Sequence, residues 1–236
     1  MKKLAILKAD KVNPKLSPEF GEYADMFDQV FRPYFPDIVL TTYDVQNFEY
    51  PADLDEVDAY IITGSASGVY EDLEWIKVLG EFVKKLHRQR KKLIGICFGH
   101  QLVAHVLGGK TEKSDKGWGI GVYTLELTEQ GKQLTQHQAA INLFNTHQDQ
   151  VVIPAEGSET IAGNDFCPFS ICTIGDHIFT SQGHIEMTTE YTKGLINLRR
   201  HRFGEPLYHQ AIESLSQRND KQLLTKWIID FIVSSK

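Results

Sequence analysis

The sequence predicts an α/β fold: one mostly parallel central sheet flanked by helices, with an antiparallel part added in its second half. Three observations carry that expectation. Short apolar runs alternate with helical periods as far as residue 96, the pattern of parallel strands joined by crossover helices. Beyond residue 119 strand-like runs follow one another directly, as antiparallel neighbours do. The composition, 42% hydrophobic and 24% charged over 236 residues, is enough to bury a real core without splitting the chain.

The elements follow in order. "KLAILKA" reads as the first strand, a helix lies within residues 17–32, and "DIVLTTY" and "DAYIIT" read as the next two strands. A helix begins at about Asp72, because Leu73, Ile76, Leu79, Phe82, Val83 and Leu86 recur at spacings of three and four. "KLIGI" is a buried strand, and "FGHQLVAHVL" a helix that stops at Gly108-Gly109. "GIGVYTLEL" and "INLFNTH" are strands, and "SICTIGDHIFTSQGH" is two strands joined by a tight turn at Gly175-Asp176. The chain is helical after residue 188, and its last helix carries a core-facing stripe of Leu223, Leu224, Trp227, Ile228, Phe231 and Ile232. No linker, repeat or low-complexity tract divides it, so residues 1–236 read as a single domain.

Several function classes drop out. The net charge of −6 gives a nucleic-acid backbone no overall attraction, and the basic run from Lys84 to Lys92 sits at a helix end, where cations complement the dipole. No segment has the uninterrupted apolar length that a bilayer requires, and the apolar part of "MKKLAILKAD" is too short for a signal peptide. Three cysteines without a framework of spacings point to a reducing compartment, hence to the cytoplasm.

What remains is chemistry around one thiol. Gly95, Cys97 and Gly99 form G-x-C-x-G at the junction of a strand and a helix, the thiol counterpart of a nucleophile elbow. A turn that sharp strains the nucleophile's backbone and presses the residues two positions away against neighbouring backbone, where only hydrogen fits. The helix N-terminus then favours the thiolate, and the Phe98 N–H faces a developing oxyanion. A lone cysteine on an apolar strand is ordinarily a small buried hydrophobe, the reading that suits Cys167 and Cys172. The flanking glycines set Cys97 apart. A thiol that must also protonate a leaving group needs an oriented imidazole, and "SQGHIEM" offers His184 with Glu186 two residues on, on the same face of a strand end. An H-x-E pair also occurs in zinc deaminases, but those need a P-C-x-x-C that Cys167 and Cys172 do not supply.

"GICFGHQ" followed by "GHIE" resembles the class I glutamine amidotransferase family, whose triad is Cys-His-Glu in this chain order. "YIITGSASGVYEDLEWI" resembles its oxyanion-loop segment, and "NTHQDQVVIPAEGSETIAGN" its His-x-Asp-x-Val segment and the strand beyond. The resemblance implies a flavodoxin-like fold, a nucleophile at Cys97, a general base and acid at His184, and an orienting carboxylate at Glu186. It also implies oxyanion donors from the Gly64-Ser65 loop and Phe98, and substrate contacts from Gln101 and from Thr146, His147 and Gln148.

Two departures stand out. Gly64, Ser65 and Ala66 replace the Gly-Gly-Pro common in the family, which a backbone donor tolerates if Ser65 avoids positive φ. Ile185 replaces the proline of His-Pro-Glu, and a β-branched residue restricts the backbone in a similar way.

The implied reaction is hydrolysis of a γ-glutamyl amide through a γ-glutamyl thioester, with no metal and no organic cofactor. Three functions share that site. One is a glutaminase resembling the amidotransferase half of GMP synthetase, which needs a synthetase partner in trans, since the chain has no G-x-x-x-x-G-K-[ST] loop of its own. A second is a γ-glutamyl peptidase acting on small γ-glutamyl conjugates. The third is a silent binding or regulatory protein on the same fold.

Overall fold

Strands that are apolar on both faces must be covered on both, and the first four show how this chain does so. The computed structural model describes residues 1–135 and 138–234. Strands β1 (Lys3–Lys8), β2 (Val39–Asp44), β3 (Ala59–Ile62) and β4 (Leu93–Ile96) alternate with helices α1 (Ser17–Phe20), α2 (Tyr23–Phe31), α3 (Glu74–Arg88) and α4 (Phe98–Val106). Strand β1 lies between β2 and β3, and β4 follows β3, all parallel. Leu4, Ile6, Ile61, Ile94 and Ile96 pack on one face with Phe27 and Phe31 of α2. Alternate residues Ala5, Leu7, Tyr60, Ile62 and Leu93 pack on the other with Leu79, Val83 and Leu86 of α3 and Leu102 of α4.

The second half adds β5 (Lys110–Lys113), β6 (Gly119–Leu127), α5 (Glu129–Gln133), β7 (Ala140–His147), β8 (Asp149–Ile153), β9 (Ser158–Gly163), β10 (Ile171–Ile174), β11 (Ile178–Ser181), α6 (Thr189–Phe203), α7 (Glu205–Ser214) and α8 (Lys221–Val233). The large sheet runs β2-β1-β3-β4-β11-β10-β9-β6-β7, while β5 and β8 form a separate pair. Strand β11 joins β4 in parallel, and from β11 onward every pairing is antiparallel. This is the α/β architecture with an antiparallel addition that the sequence predicts.

Three details differ from the expected elements. The β10–β11 turn includes His177 as well as Gly175 and Asp176, since Ile174 pairs with Ile178; Gly175 takes the positive φ of 53°. The last turn of α3 holds Lys85, His87 and Arg88 as expected, but Lys92 is buried, donating to the Asp176 carbonyl and Ser234 Oγ. Strand β11 stops at Ser181, so His184 and Glu186 lie in the irregular segment beyond it, where the His184 N–H bonds the Phe144 carbonyl of β7 at 3.0 Å. Among the described residues no helix is long and apolar enough to cross a membrane.

Helix α4 sits unusually close to the sheet. A Cβ on Gly99 would stand 2.6 Å from the Ile62 carbonyl oxygen, and one on Gly95 2.7 Å from the Gly99 carbonyl. Helix propensity alone favours alanine over glycine by roughly 0.5–1 kcal/mol, whereas overpacking against fixed backbone costs about 1–3 kcal/mol. Gly99→Ala is therefore expected to lower the unfolding free energy by about 1–2 kcal/mol in urea titration. An unchanged or raised midpoint would show that α4 yields at little cost.

Candidate active site

Four loops at the carboxyl ends of parallel strands build the site, the place where open α/β sheets present ligand-binding groups. Asp10 follows β1, Gly64 follows β3, Cys97 follows β4, and His184 follows β11. The first two loops are tied together: the Ala9 N–H donates to Thr63 Oγ1 at 3.0 Å, and the Ala66 N–H donates to Asp10 Oδ2 at 2.9 Å.

Cys97 lies at the turn itself, with φ 53° and ψ −102°, a region that side chains other than hydrogen rarely occupy. Its N–H bonds the Ser181 carbonyl at 2.8 Å, and its carbonyl accepts from Gln101 at 3.0 Å. The strained residue is thus fixed on both sides, as the elbow motif predicts. It is 7% exposed and opens onto two cavities. Cys167 and Cys172 are buried too, and burial pushes both thiols up to about 12, the behaviour of inert core cysteines.

His184 and Glu186 are each 2% exposed, and Nδ1 of the imidazole lies 2.6 Å from Glu186 Oε1. That bond fixes the tautomer and leaves Nε2 without a conventional hydrogen-bond partner on the Cys97 side. Burial works to depress the proton affinity of His184. The charges of Glu186 and Cys97 overcome it and raise the pKa to about 10. Ile185, between the two polar residues, is fully buried in the core and holds the segment without a proline.

Gly64 stands over both groups: a Cβ there would lie 3.4 Å from His184 Cε1 and 3.7 Å from Cys97 Cβ. Ser65 does not adopt positive φ, so the serine is accommodated without strain. Among the described residues the Ser65 and Phe98 N–H groups donate to no protein acceptor.

The remaining expected residues gather in one of the two cavities. Gln101, Thr146, His147 and Gln148 all line a space of about 340 Å³ beside Cys97. Gln101 Nε2 donates to the Asp149 carbonyl at 2.7 Å and to Gln182 Oε1 at 3.0 Å, which leaves its own side-chain oxygen for a ligand. His147 Nδ1 sits 3.0 Å from the Asp149 carbonyl, and burial lowers its pKa to about 4, so it is a neutral donor that shapes the β7–β8 turn. Thr146 Oγ1 accepts from Arg199 Nη1 at 3.0 Å.

Sequence reasoning passed over Asp10, Tyr23 and Arg199, which also line the space around Cys97. Asp10 could have been found from its place just past a predicted parallel strand. Tyr23 and Arg199 lie on helices, where their residue types carry no local signal.

A strained thiol at a strand–helix turn, a buried imidazole–carboxylate pair and two backbone donors without protein acceptors among the described residues thus meet at the carboxyl edge of an α/β sheet. The match to known proteins is more specific. Residues 24–197 match the family model "Glutamine amidotransferase class-I". A glutamine amidotransferase-like protein of Schizosaccharomyces pombe is 31% identical, the match covering 98% of each chain. Gamma-glutamyl peptidase 3 of Arabidopsis thaliana is 33% identical over 73% of this chain and 66% of its own length. A crystal structure of a glutamine amidotransferase from Thermotoga maritima shares the fold, with TM-score 0.78 at 19% identity over 98% of this chain and 99% of that one. The chain belongs to the class I glutamine amidotransferase family.

The His184–Glu186 pair gives a titration with a definite sign. A raised folded-state pKa means that the protonated imidazole is favoured by folding, so its stabilisation is complete below the unfolded value near ~6.5. It is lost as pH rises through the folded value of about 10. The His184 ring signals in NMR are expected to titrate well above those of an exposed histidine, and Glu186→Gln to bring the midpoint down by at least about one unit. A His184 midpoint that stays put in Glu186→Gln would mean that the carboxylate does not set its charge.

Proposed function

We propose that the protein hydrolyses a γ-glutamyl amide with Cys97 as nucleophile, His184 as base and acid, and Glu186 as the group that orients His184. The observation that carries this reading is the buried 2.6 Å contact between His184 Nδ1 and Glu186 Oε1 beneath a strained, cavity-facing Cys97. It turns Nδ1 to the carboxylate and leaves Nε2 to take and return the proton of the thiol.

The steps follow from the positions. The Cys97 proton resides on His184 Nε2, so that sulfur and imidazole form a thiolate–imidazolium pair; the sulfur attacks the γ-carbonyl carbon, and the carbonyl oxygen becomes an oxyanion facing the Ser65 and Phe98 N–H groups. When the tetrahedral intermediate collapses, the carbon–nitrogen bond breaks and His184 returns the proton to the departing amine. A γ-glutamyl thioester remains. Water, deprotonated by His184, attacks it, releasing glutamate and restoring the pair of Cys97 thiolate and protonated His184. Gln101, the neutral His147 and the Thr146–Gln148 turn hold the glutamyl half in the cavity that they line.

If glutamine is the donor, the leaving group is ammonia, and a synthetase partner in trans must take it up. A second observation favours a larger leaving group: the cavity on the His184 side of Cys97 has a volume of about 460 Å³, far more than ammonia needs. That room suits the γ-glutamyl conjugates of a γ-glutamyl peptidase.

Glutamate release from glutamine and from γ-glutamyl dipeptides tests the reading. Cys97→Ala is expected to reduce turnover by at least about 10³-fold, and Glu186→Gln by about 10²-fold or more, with both variants still folded. Turnover near the wild-type rate in either would assign the chemistry to other residues.

A further inference from the structure

Arg199 is a half-buried cation without an anion. It projects from α6 to the divide between the two cavities and lines both, together with Cys97 and Thr146. Among the described residues the one hydrogen bond of its guanidinium is that from Nη1 to Thr146 Oγ1 at 3.0 Å. No carboxylate among the described residues lies within ion-pair distance. Burial lowers its pKa without removing the charge, because arginine stays protonated in proteins. A desolvated guanidinium whose remaining donors face a cavity is a carboxylate site, since its planar fork matches both oxygens.

The mechanism decides which carboxylate. His184 must reach the departing nitrogen, so the leaving half lies in the cavity that His184 lines, with Tyr23, Tyr191, Leu195 and Leu198. Arg199 and Arg202 line both spaces, and the charged groups peculiar to each differ. The cavity lined by Gln101 and Gln148 adds Glu71 and Asp149 as well as Lys113, a mixed lining that suits the zwitterionic end of a glutamyl group. On the His184 side the lone carboxylate, Asp10, accepts the Ala66 and Lys11 N–H groups and is offset by Lys11, so the two arginines leave that lining with an excess of positive charge.

We propose that Arg199 binds the carboxylate carried by the leaving half of a γ-glutamyl substrate, in the cavity on the His184 side of Cys97. The inference rests on the hydrolytic reading of Cys97 and narrows its substrate class to γ-glutamyl amino acids and short γ-glutamyl peptides with a free carboxyl terminus. Tyr23 and the apolar residues of α6 accept the side chain between the scissile amide and that carboxylate.

Two substrates with the same glutamyl half isolate this contact: γ-glutamyl-alanine and its carboxamide, γ-glutamyl-alaninamide. Any role of Arg199 toward the glutamyl α-carboxylate cancels in their ratio. The wild-type kcat/KM is expected to favour the acid by at least about tenfold, Arg199→Met to bring the ratio within about twofold, and Arg199→Lys to restore part of it. Calorimetry on Cys97→Ala, alone and with Arg199→Met, reads the same preference as a ratio of Kd values without turnover. A wild-type enzyme indifferent to the carboxyl group, or an Arg199→Met variant that keeps the preference while both rates fall together, overturns the proposal and leaves the hydrolytic reading standing. Tighter binding of the acid by Cys97→Ala, lost with Arg199→Met, in a protein that hydrolyses neither compound would keep the carboxylate site and remove the hydrolytic reading instead.

Discussion

The contact on which the site depends is backbone against backbone, where α4 meets β3 and β4. Gly99 rests on the Ile62 carbonyl, and Gly95 leaves room for the Gly99 and His100 backbone, at separations that no side chain could enter. Between them Cys97 takes a conformation that costs on the order of 1–3 kcal/mol in isolation. The surrounding hydrogen bonds to Ser181 and from Gln101 hold it there. Two consequences follow from one constraint. The sulfur faces the cavities, and the first N–H of α4, that of Phe98, is left beside it without an acceptor among the described residues.

Electrostatics then distinguishes three histidines that are chemically the same. His100 and His147 are buried against hydroxyl and carbonyl partners, and burial lowers their pKa values to about 3 and about 4, so both are neutral. His184 is buried as deeply but faces Glu186, and its pKa moves the other way. Burying the Glu186 carboxylate would cost several kcal/mol without a partner, and the imidazole supplies one. The pair is therefore mutually dependent: each residue makes burial of the other tolerable. Among the described residues around Cys97, only His184 combines readiness to hold a proton with a second ring nitrogen turned toward the thiol.

Much of this was legible in the sequence because it is local. The G-x-C-x-G spacing encodes the tight turn, the two-residue interval of His184 and Glu186 encodes their contact, and apolar periods of about two and 3.6 encode most strands and helices. The short elements escaped. Strand β5 and helix α5 are four and five residues long, below the span over which a period can be recognised. Extending the strand to His184 also failed, because the apolar Ile185 continues an alternation that the hydrogen bonding abandons after Ser181. The His184–Glu186 contact survives because the bridge to Phe144 positions the segment from another strand. Tyr23 and Arg199 come to Cys97 from helices far away in the chain, and only the folded topology brings them there.

Arg199 looks at first like one more cation in the basic stretch at the end of α6, where Arg200 and Arg202 complement the helix dipole. Its surroundings separate it from both. Arg200 pairs with Glu205 and stacks over the Tyr208 ring at 4.3 Å, the usual arrangement of an exposed arginine. Arg202 is exposed, so water solvates its charge. Arg199 is half-buried and has no acidic partner among the described residues, where its single acceptor is a threonine hydroxyl. A charge held in that state lowers stability, because desolvation is not compensated within the protein. A local rule broken in this way is expected where a ligand completes the arrangement. Of the two arginines that reach the cavity shared by Cys97 and His184, Arg199 is the desolvated one, and an anionic group on a substrate there would relieve its cost.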